Sequence, residues 1–291
     1  MREAGRIAAR AREHGATLVR PGARLRDVVE AVEAQIRSEG GQLAFPTQTS
    51  VNEVAAHDCP SPEDERVYAL GDIAKLDVGV HLDGYVVDTA TTVAVGAASP
   101  PPLVLAARAA LQAALQVAGP NVPIWRLSAA IAATLRTFGF RPMRNLCGHH
   151  VGRWTVHCPP PVPNLPEDAD GRLVVGAAVA IEPFATEGPG RVVEEGEAQV
   201  FRLPPEKDPG PAGPDLSEEL RAALLAYRGL PFSRRDLGTF ARPEIEAALA
   251  RLRARGVLQS YAPLVETTRR KVAQAEHTLL VTATGVEVLT R

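Results

Sequence analysis

Cysteine is scarce in this chain, and so are aromatic side chains and long apolar stretches. The 291 residues include three cysteines, two methionines and only 4% aromatic residues. An odd, sparse set of cysteines does not resemble a disulfide framework, which favours a reducing compartment such as the cytoplasm. No apolar run approaches the roughly 20 residues of a membrane-spanning helix, and the Arg-rich N-terminus lacks the apolar stretch of a signal peptide. We therefore expect a cytoplasmic protein with no membrane segment.

A strong charge of either sign is also missing. The chain has 32 Lys and Arg residues against 34 Asp and Glu residues, with both signs mixed along its length. Because a basic face is the minimum that a DNA-binding protein needs, we expect no specific DNA binding. At 45% hydrophobic residues, the chain can bury one large core, with or without a small additional module.

The predicted elements alternate between helix pairs and strands, twice along the chain. Apolar spacing predicts helices over 2–18, 25–39, 103–118 and 124–138, and strand-rich segments over 72–95, 153–158, 173–182, 191–202 and 272–282. A helix pair followed by strands occurs over 2–95 and again over 103–202. This order favours a pseudo-two-fold repeat, and the fold class that we predict is α+β.

A proline-rich segment over 204–214 interrupts the alternation. After it, the pattern predicts helices over about 216–228 and 243–255 and a short strand near 257–261. Asp215 is the predicted cap of the first of these helices. Two helices and a strand in so short a segment resemble a winged-helix module.

We therefore predict an inserted winged-helix-like subdomain over 205–263. The main domain would then consist of residues 1–204 and 264–291. The acids and bases of the inserted segment nearly balance, which favours a wall of a substrate pocket over a DNA-binding surface.

A hairpin is predicted where Asp83-Gly84 lies between alternating Val and Leu residues, because both turn positions need a positive φ. In that register Gly79 opposes Asp88, and Asp77 lies two residues from Gly79 on the same face of the strand. The two aspartates are then diagonal neighbours, with Cβ atoms about 7 Å apart or less. Two buried carboxylates this close are costly unless a cation lies between them. On its own, the hairpin fits two solvated strand acids equally well.

Three further side chains of metal-binding type lie beside apolar segments. His149 is predicted in a loop before a strand, Glu182 ends the apolar strand 178–181, and Glu276 precedes another apolar strand. Each of them alone is more often structural, but the set is harder to explain in that way. Carboxylates with one imidazole suit Mn²⁺, Fe²⁺, Co²⁺ or Zn²⁺. Five such ligands fit two adjacent ions that share carboxylates and a water molecule.

The ordered set resembles the metal-ligand motifs of the methionine aminopeptidase family. The motifs are Asp77, Asp88, Gly148-His149, Ile181-Glu182-Pro183-Phe184-Ala185-Thr186 and Gln274-Ala275-Glu276-His277-Thr278. The inserted module and the segment Asn52–His57 are similar to the type II, archaeal-type branch. The resemblance covers nearly the whole chain and implies the pseudo-two-fold pita-bread fold, an antiparallel sheet covered by helices, which prolidases and creatinase share.

The same resemblance implies the roles of the site residues. The ligands of two divalent ions (Co, Mn, Fe or Zn) would be Asp77, Asp88, His149, Glu182 and Glu276, with Asp88 and Glu276 bridging the ions. The residues that contact the substrate would be Phe45, His57, His157 and Tyr261. Glu182 would transfer a proton after attack by a metal-activated hydroxide, and His157 and His57 would stabilise the oxyanion.

The implied reaction is removal of the initiator methionine from nascent chains whose second residue is small, by a monomeric enzyme. A contact with the ribosome is left open. Alternatives are an Xaa-Pro peptidase of the same fold and a non-catalytic homologue that binds RNA or protein. The complete ligand set favours catalysis. Ala275 and Cys147 depart from the family pattern, which usually has a large apolar residue and a small polar residue at these positions.

Overall fold

Six α-helices and eighteen strands make up the chain in the computed structural model, which describes residues 1–291. The helices are Arg2–Leu18 (α1), Leu25–Ser38 (α2), Pro102–Val117 (α3), Ile124–Thr137 (α4), Glu218–Ala226 (α5) and Arg242–Ala254 (α6). None of them is long and apolar enough to cross a membrane.

Most of the strands are short. They are Gln42–Leu43 (β1), Gln48–Val51 (β2), Val54–Ala56 (β3), Ile73–Leu82 (β4), Tyr85–Ala94 (β5), Arg141–Pro142 (β6), Cys147–Gly152 (β7), Thr155–Pro163 (β8), Ala178–Ile181 (β9), Phe184–Thr186 (β10), Val192–Glu194 (β11), Val200–Arg202 (β12), Phe232–Ser233 (β13), Gln259–Tyr261 (β14), Leu264–Glu266 (β15), Val272–Gln274 (β16), His277–Val281 (β17) and Val286–Val288 (β18). Every pairing within the five sheets is antiparallel.

In the first half of the chain, α1 and α2 pack on the long β4–β5 hairpin. Apolar residues one helical turn apart, such as Val32 and Ile36 of α2, are buried against alternate residues of β4, including Leu76 and Val78. Because side chains alternate along a strand, the other face of β4 is free to carry Asp77. The helices thus cover one side of the hairpin and leave its acidic side to the site.

The second half repeats this arrangement. The helices α3 and α4 bury residues such as Leu111 and Leu127 against Val179, Ile181 and Leu279 of the sheet β18-β17-β9-β7-β8. Two helix pairs, each covering antiparallel strands, confirm the predicted pseudo-two-fold α+β fold.

The inserted segment has a core of its own. Leu220 of α5 and Leu249 of α6 pack against Phe201 and Phe232 on the small sheet β13-β12-β14. Strand β12 precedes the proline-rich linker but pairs with β13 and β14. The division into 1–204 with 264–291 and an inserted winged-helix-like subdomain over 205–263 is our proposal, with β12 as the strand that joins the two parts.

The cap of α5 differs from the prediction. Ser217, not Asp215, caps the helix, since its hydroxyl accepts a hydrogen bond of 3.1 Å from the amide of Leu220. Asp215 lies inside a tight turn that a hydrogen bond between Leu216 and Gly213 closes. The helix therefore begins later than the pattern predicts.

The prediction for the region around His149 was also wrong. His149 lies inside strand β7 and not in a loop, and the strand predicted over 153–158 begins only at Thr155. The chain reverses at Trp154, whose φ is 60°, and its amide donates a 2.7 Å hydrogen bond to the carbonyl of Gly84. The tips of the β4–β5 and β7–β8 hairpins therefore meet.

The segment 191–202, predicted as strand-rich, forms two strands in two different sheets. Strand β11 pairs with β15, and β12 pairs with β13 and β14. Between them, Gly196 has a φ of 97°, a conformation that breaks an extended strand.

Candidate metal centre and substrate cavity

The β4–β5 hairpin has the predicted register. Asp83 and Gly84 have φ values of 50° and 82°, and Gly79 pairs with Asp88. Asp77 pairs with the residue two positions beyond Asp88, so the two aspartates are diagonal neighbours on one face. The turn chemistry thus determines where both acids lie.

The structure brings the five predicted ligands together from both halves of the chain. One ligand atom each of Asp88, His149 and Glu276 lie within 4.8 Å of one another. The Nε2 atom of His149 is 3.5 Å from Asp88 Oδ2 and 3.9 Å from Glu182 Oε1. Asp77 and Glu182 line a cavity that Asp88 and His149 line as well. Strands that are far apart in sequence therefore deliver four carboxylates and one imidazole to one point.

The protonation of these groups matches a cation site. Burial and the neighbouring carboxylates raise the pKa values of Asp77, Glu182 and Glu276 well above their usual range. Burial also raises the pKa of Asp88 to about 7, while it lowers the pKa of His149 to about 4. Carboxylates that resist ionisation in the absence of positive charge, beside a neutral imidazole, are what a divalent cation compensates.

Unpaired buried oxygens support the same conclusion. Asp77 Oδ1, Asp88 Oδ1 and Glu276 Oε1 are buried and have no hydrogen-bond partner. His149 Nδ1 lies 3.2 Å from the carbonyl oxygen of His150, which leaves Nε2 to face the acids. Buried polar atoms are rarely left without a partner. The residues present therefore fit a divalent metal ion.

Gln274 contacts two of the predicted ligands, and the sequence did not single it out. Its side-chain Nε2 donates to Glu182 Oε2 at 3.2 Å and to Glu276 Oε2 at 3.3 Å. Its own backbone is bound on both sides by the hydroxyl of Thr92, at 2.8 and 2.6 Å. The one available clue was its position two residues before Glu276 in the same motif.

Threonines hold the two halves together directly behind the acids. The hydroxyl of Thr278 accepts from the amide of Asp88 and donates to its carbonyl, at 2.8 and 2.7 Å. Thr89 donates to the carbonyl of Glu276 at 2.9 Å. These contacts join β5 to the segment around β17. They fix the backbone of two predicted ligands across about 190 residues of chain.

A cavity of about 290 Å³ opens beside the acids. Its apolar lining includes Phe45, Val156, Phe184, Val200, Pro231, Tyr261 and Leu264. Phe45 packs so closely on the hairpin that a Cβ atom at Gly79 would lie 2.2 Å from its ring. Glycine at position 79 therefore makes room for this aromatic wall.

The predicted substrate-contacting histidines also line this cavity. His57 has a φ of 65°, its amide donates to Gln48 Oε1 at 2.9 Å, and its ring lies 5.7 Å from Tyr261 in an edge-on arrangement. Burial lowers the pKa of His57 to about 4. His157 is exposed, and its ring is 4.3 Å from that of His149. Loss of hydration within the cavity, with His149 nearby, lowers the pKa of His157. Both imidazoles are neutral near pH 7.

Cys147 lines the cavity as well. Burial, with Glu182 nearby, raises the pKa of its thiol to about 11. The thiol therefore stays protonated near neutral pH, and only a thiolate is a good metal ligand. His150 and His277 bond away from the cavity, to Pro160 and Thr290 respectively.

The sequence profile of metallopeptidase family M24 matches residues 1–283. The chain belongs to this family. A methionine aminopeptidase from Thermococcus onnurineus is 39% identical over 99% of this chain and 97% of its own length. Another, from Archaeoglobus fulgidus, is 38% identical over the same shares of the two chains. The predicted family is confirmed, and membership implies the use of a divalent metal.

Solved structures agree on the fold. A methionine aminopeptidase from Thermotoga maritima covers 100% of this chain and 95% of its own, with a TM-score of 0.72 and 26% identity. A thermophilic Arx1 reaches a TM-score of 0.86 over 99% of this chain and 89% of its own, at 17% identity. At that identity the likeness to Arx1 shows the fold alone.

Proposed function

We propose that this chain removes the N-terminal methionine from nascent proteins and peptides whose second residue is small, with two divalent ions (Co, Mn, Fe or Zn) as cofactor. The observation that carries the proposal is the joint presence of the five-ligand cluster and an adjoining apolar cavity of about 290 Å³. A methionine side chain is unbranched and adaptable, which suits a small cavity with aromatic walls.

The residues proposed to hold the ions are Asp77, Asp88, His149, Glu182 and Glu276. The unpaired buried oxygens of Asp77, Asp88 and Glu276 support their place in this set. When bound, such ions lower the pKa of water so that hydroxide is available near neutral pH.

Glu182 is the proposed proton carrier between the attacking water and the leaving amine. Its side chain is 13% exposed, so it is in reach of the cavity, and Gln274 holds its Oε2 atom.

His157 and His57 are proposed to donate hydrogen bonds to the substrate carbonyl as negative charge develops on its oxygen. Both rings are neutral near pH 7, so each carries one N–H donor. Phe45 and Tyr261 are proposed to contact the methionine side chain, with Pro231 of the inserted segment beside them.

The test is hydrolysis of Met-Ala-Ser, Leu-Ala-Ser and Ala-Pro-Ser by the metal-free protein and by protein reloaded with Mn²⁺, Co²⁺, Fe²⁺ or Zn²⁺. We expect metal-dependent release of methionine from Met-Ala-Ser, and its loss in Glu182→Ala. Cleavage of Ala-Pro-Ser instead would identify a proline peptidase. Bound metal without any cleavage would point to a binding protein.

We further propose a cytoplasmic monomer that meets its substrates as nascent polypeptide N-termini, with no specific DNA binding. Three free cysteines, Cys59, Cys147 and Cys158, support a reducing compartment. Whether the enzyme contacts the ribosome is a question for co-sedimentation with ribosomes.

A further inference from the structure

A buried ion pair joins the inserted segment to the main domain. Arg235, in the short 3₁₀ turn Arg235–Leu237, donates from both terminal nitrogens to the two oxygens of Glu33 on α2, at 2.9 Å each. The side chains are only 6% and 3% exposed. Such a pair loses hydration on both sides and needs near-ideal geometry to persist. The bidentate geometry meets that need.

Glu33 also binds the loop that carries Phe45. Its Oε1 atom accepts a 3.1 Å hydrogen bond from the amide of Thr47, which is fully buried. Thr47 lies two residues after Phe45 and next to Gln48, the residue that accepts from the amide of His57. The carboxylate therefore fixes the backbone on which one aromatic wall of the cavity stands.

Arg235 binds the segment that carries His57. Its Nε donates to the carbonyl of Pro60 at 3.0 Å, and a terminal nitrogen lies 3.5 Å from Cys59 Sγ. Cys59 is two residues beyond His57. One guanidinium therefore contacts both α2 and the histidine segment.

Arg235 also follows strand β13, which belongs to the same small sheet as Tyr261. Two residues before Arg235, Ser233 of β13 pairs with Val200 of β12, which pairs in turn with Tyr261 of β14. Pro231, directly before β13, lines the cavity. Phe45 and His57 are thus each two residues from a contact of the ion pair, and Tyr261 is joined to it through β12 and β13.

We propose that the Arg235–Glu33 pair positions the apolar wall of the cavity and thereby sets the selectivity for the N-terminal side chain. The proposal rests on the proposed function. Neither residue lines the cavity, so both are positioning residues that act through Phe45, His57 and Tyr261.

The neighbouring Arg234 provides a control from the same segment. Its side chain bonds to Glu246 at 2.6 Å and to Glu197 at 2.9 Å, partners that are more exposed than Glu33. It also donates to the carbonyl of Ala198 and to Gln199 Oε1, but it contacts neither α2 nor the His57 segment. Loss of its side chain therefore removes an ion pair of the inserted segment and leaves the contacts to Glu33 and Pro60 in place.

The experiment compares wild type, Glu33→Gln, Arg235→Lys, the double variant Glu33→Gln/Arg235→Met and Arg234→Met. For each we measure kcat and KM for Met-Ala-Ser and Leu-Ala-Ser, Mn²⁺ affinity by calorimetry and the thermal unfolding midpoint. In the single variants of the pair, kcat/KM for Met-Ala-Ser should fall roughly tenfold to a hundredfold, mainly through KM. The preference for Met over Leu, measured as the ratio of the two kcat/KM values, should decrease, and Mn²⁺ affinity should stay unchanged.

The double variant separates positioning from stability. Neutralising both partners removes the buried unpaired charge, so thermal stability should recover, while the preference for Met over Leu should stay narrowed. Arg234→Met should keep the wild-type preference. Recovery of both stability and preference in the double variant, or an unchanged preference in every variant, would overturn the proposal. If a single variant does not fold, the double variant decides. Failure of wild type to cleave Met-Ala-Ser would instead contradict the proposed function.

Discussion

The acidic side and the apolar side of the cavity are built in different ways. The acids lie on or next to strands, and the Asp83-Gly84 turn fixes the register of the strands that carry Asp77 and Asp88. Threonine hydroxyls hold the backbones of Asp88 and Glu276 from behind. The apolar wall is instead assembled from the bend that carries Phe45, from short strands of several different sheets and from the inserted segment. We therefore expect the chemistry to depend on strand geometry, and selectivity to depend on contacts between distant segments such as the Arg235–Glu33 pair.

The largest expected effect is a fall in kcat in a variant that changes only the acidic side of the cavity. In Glu182→Gln the side chain keeps its shape but loses its ability to carry a proton, so kcat should fall by roughly 10²–10⁴-fold. The preference for Met over Leu in the remaining activity should be unchanged, because Phe45 and Tyr261 are untouched. Steady-state kinetics on Met-Ala-Ser and Leu-Ala-Ser provide the measurement. A narrowed preference with near-normal kcat would show that the two sides are not separable.

A smaller effect, a loss of Mn²⁺ affinity, is expected for a residue that lies behind the acids. Gln274→Met removes the amide that donates to Glu182 and Glu276 at nearly constant volume. Partners of metal ligands typically contribute about 10–100-fold to metal affinity, and we expect a loss of that order for Mn²⁺ by calorimetry. Gln112→Met, at an exposed glutamine of α3, is the control and should bind Mn²⁺ as wild type does. Equal affinity in both variants would contradict the role of Gln274.

Most of the predictions that the structure confirms came from local patterns in the sequence. The hairpin register followed from two turn residues, and the helix pairs followed from apolar spacing. Strand β7 was missed because Gly148 and Gly152 suggest a loop. In fact a Cβ atom at Gly148 would lie 2.4 Å from the carbonyl of Ala180, so the glycine serves close packing of β7 against β9.

Long-range partners were not predictable in this way. Gln274, Thr278 and the Arg235–Glu33 pair act across about 90 to 200 residues of chain. Nothing in the neighbouring sequence marks such a partner, since polar residues of the same types occur throughout the surface. The acids of the cluster were recognised from their joint order, whereas the residues that hold them needed the tertiary structure.

The protonation of the acids gives a stability prediction. The folded metal-free protein holds protons on Asp88, with a pKa of about 7, and on its neighbours, whereas the unfolded chain has lost them above about pH 4. For an acid whose pKa is raised by folding, stability falls as pH rises toward the folded value. Metal replaces those protons. The stabilisation by Mn²⁺ should therefore grow between pH 6.5 and 8.

Thermal unfolding of chelator-treated and Mn²⁺-loaded protein measures this difference, which we expect to widen by roughly 5 °C over that range. His57 and His149, whose pKa values burial lowers to about 4, are neutral in both folded forms over this window, so their titration in the unfolded chain is common to both and cancels. Lys75, whose pKa burial lowers to about 7, is common to both forms and cancels. A difference that narrows with pH would contradict the assignment of the acids as ligands.

The smallest expected effect lies where the two sides meet. Gly79 pairs with Asp88, yet its Cα faces the ring of Phe45, and in Gly79→Ala the new Cβ atom would lie 2.2 Å from that ring. The ring must move, at a cost of about 1–3 kcal/mol in unfolding free energy. We expect a rise of a few-fold in KM for Met-Ala-Ser with kcat and Mn²⁺ affinity retained.

Two variants make this last prediction specific. Gly285→Ala adds a methyl group where no atom lies within 4 Å, so it should leave KM unchanged. Gly79→Ala/Phe45→Leu should recover stability, because the smaller side chain makes room for the methyl group. If Gly79→Ala lowers Mn²⁺ affinity instead of raising KM, the added methyl group displaces Asp88 and not the ring of Phe45. The acidic side would then depend on its apolar neighbour as much as on the strands that carry it.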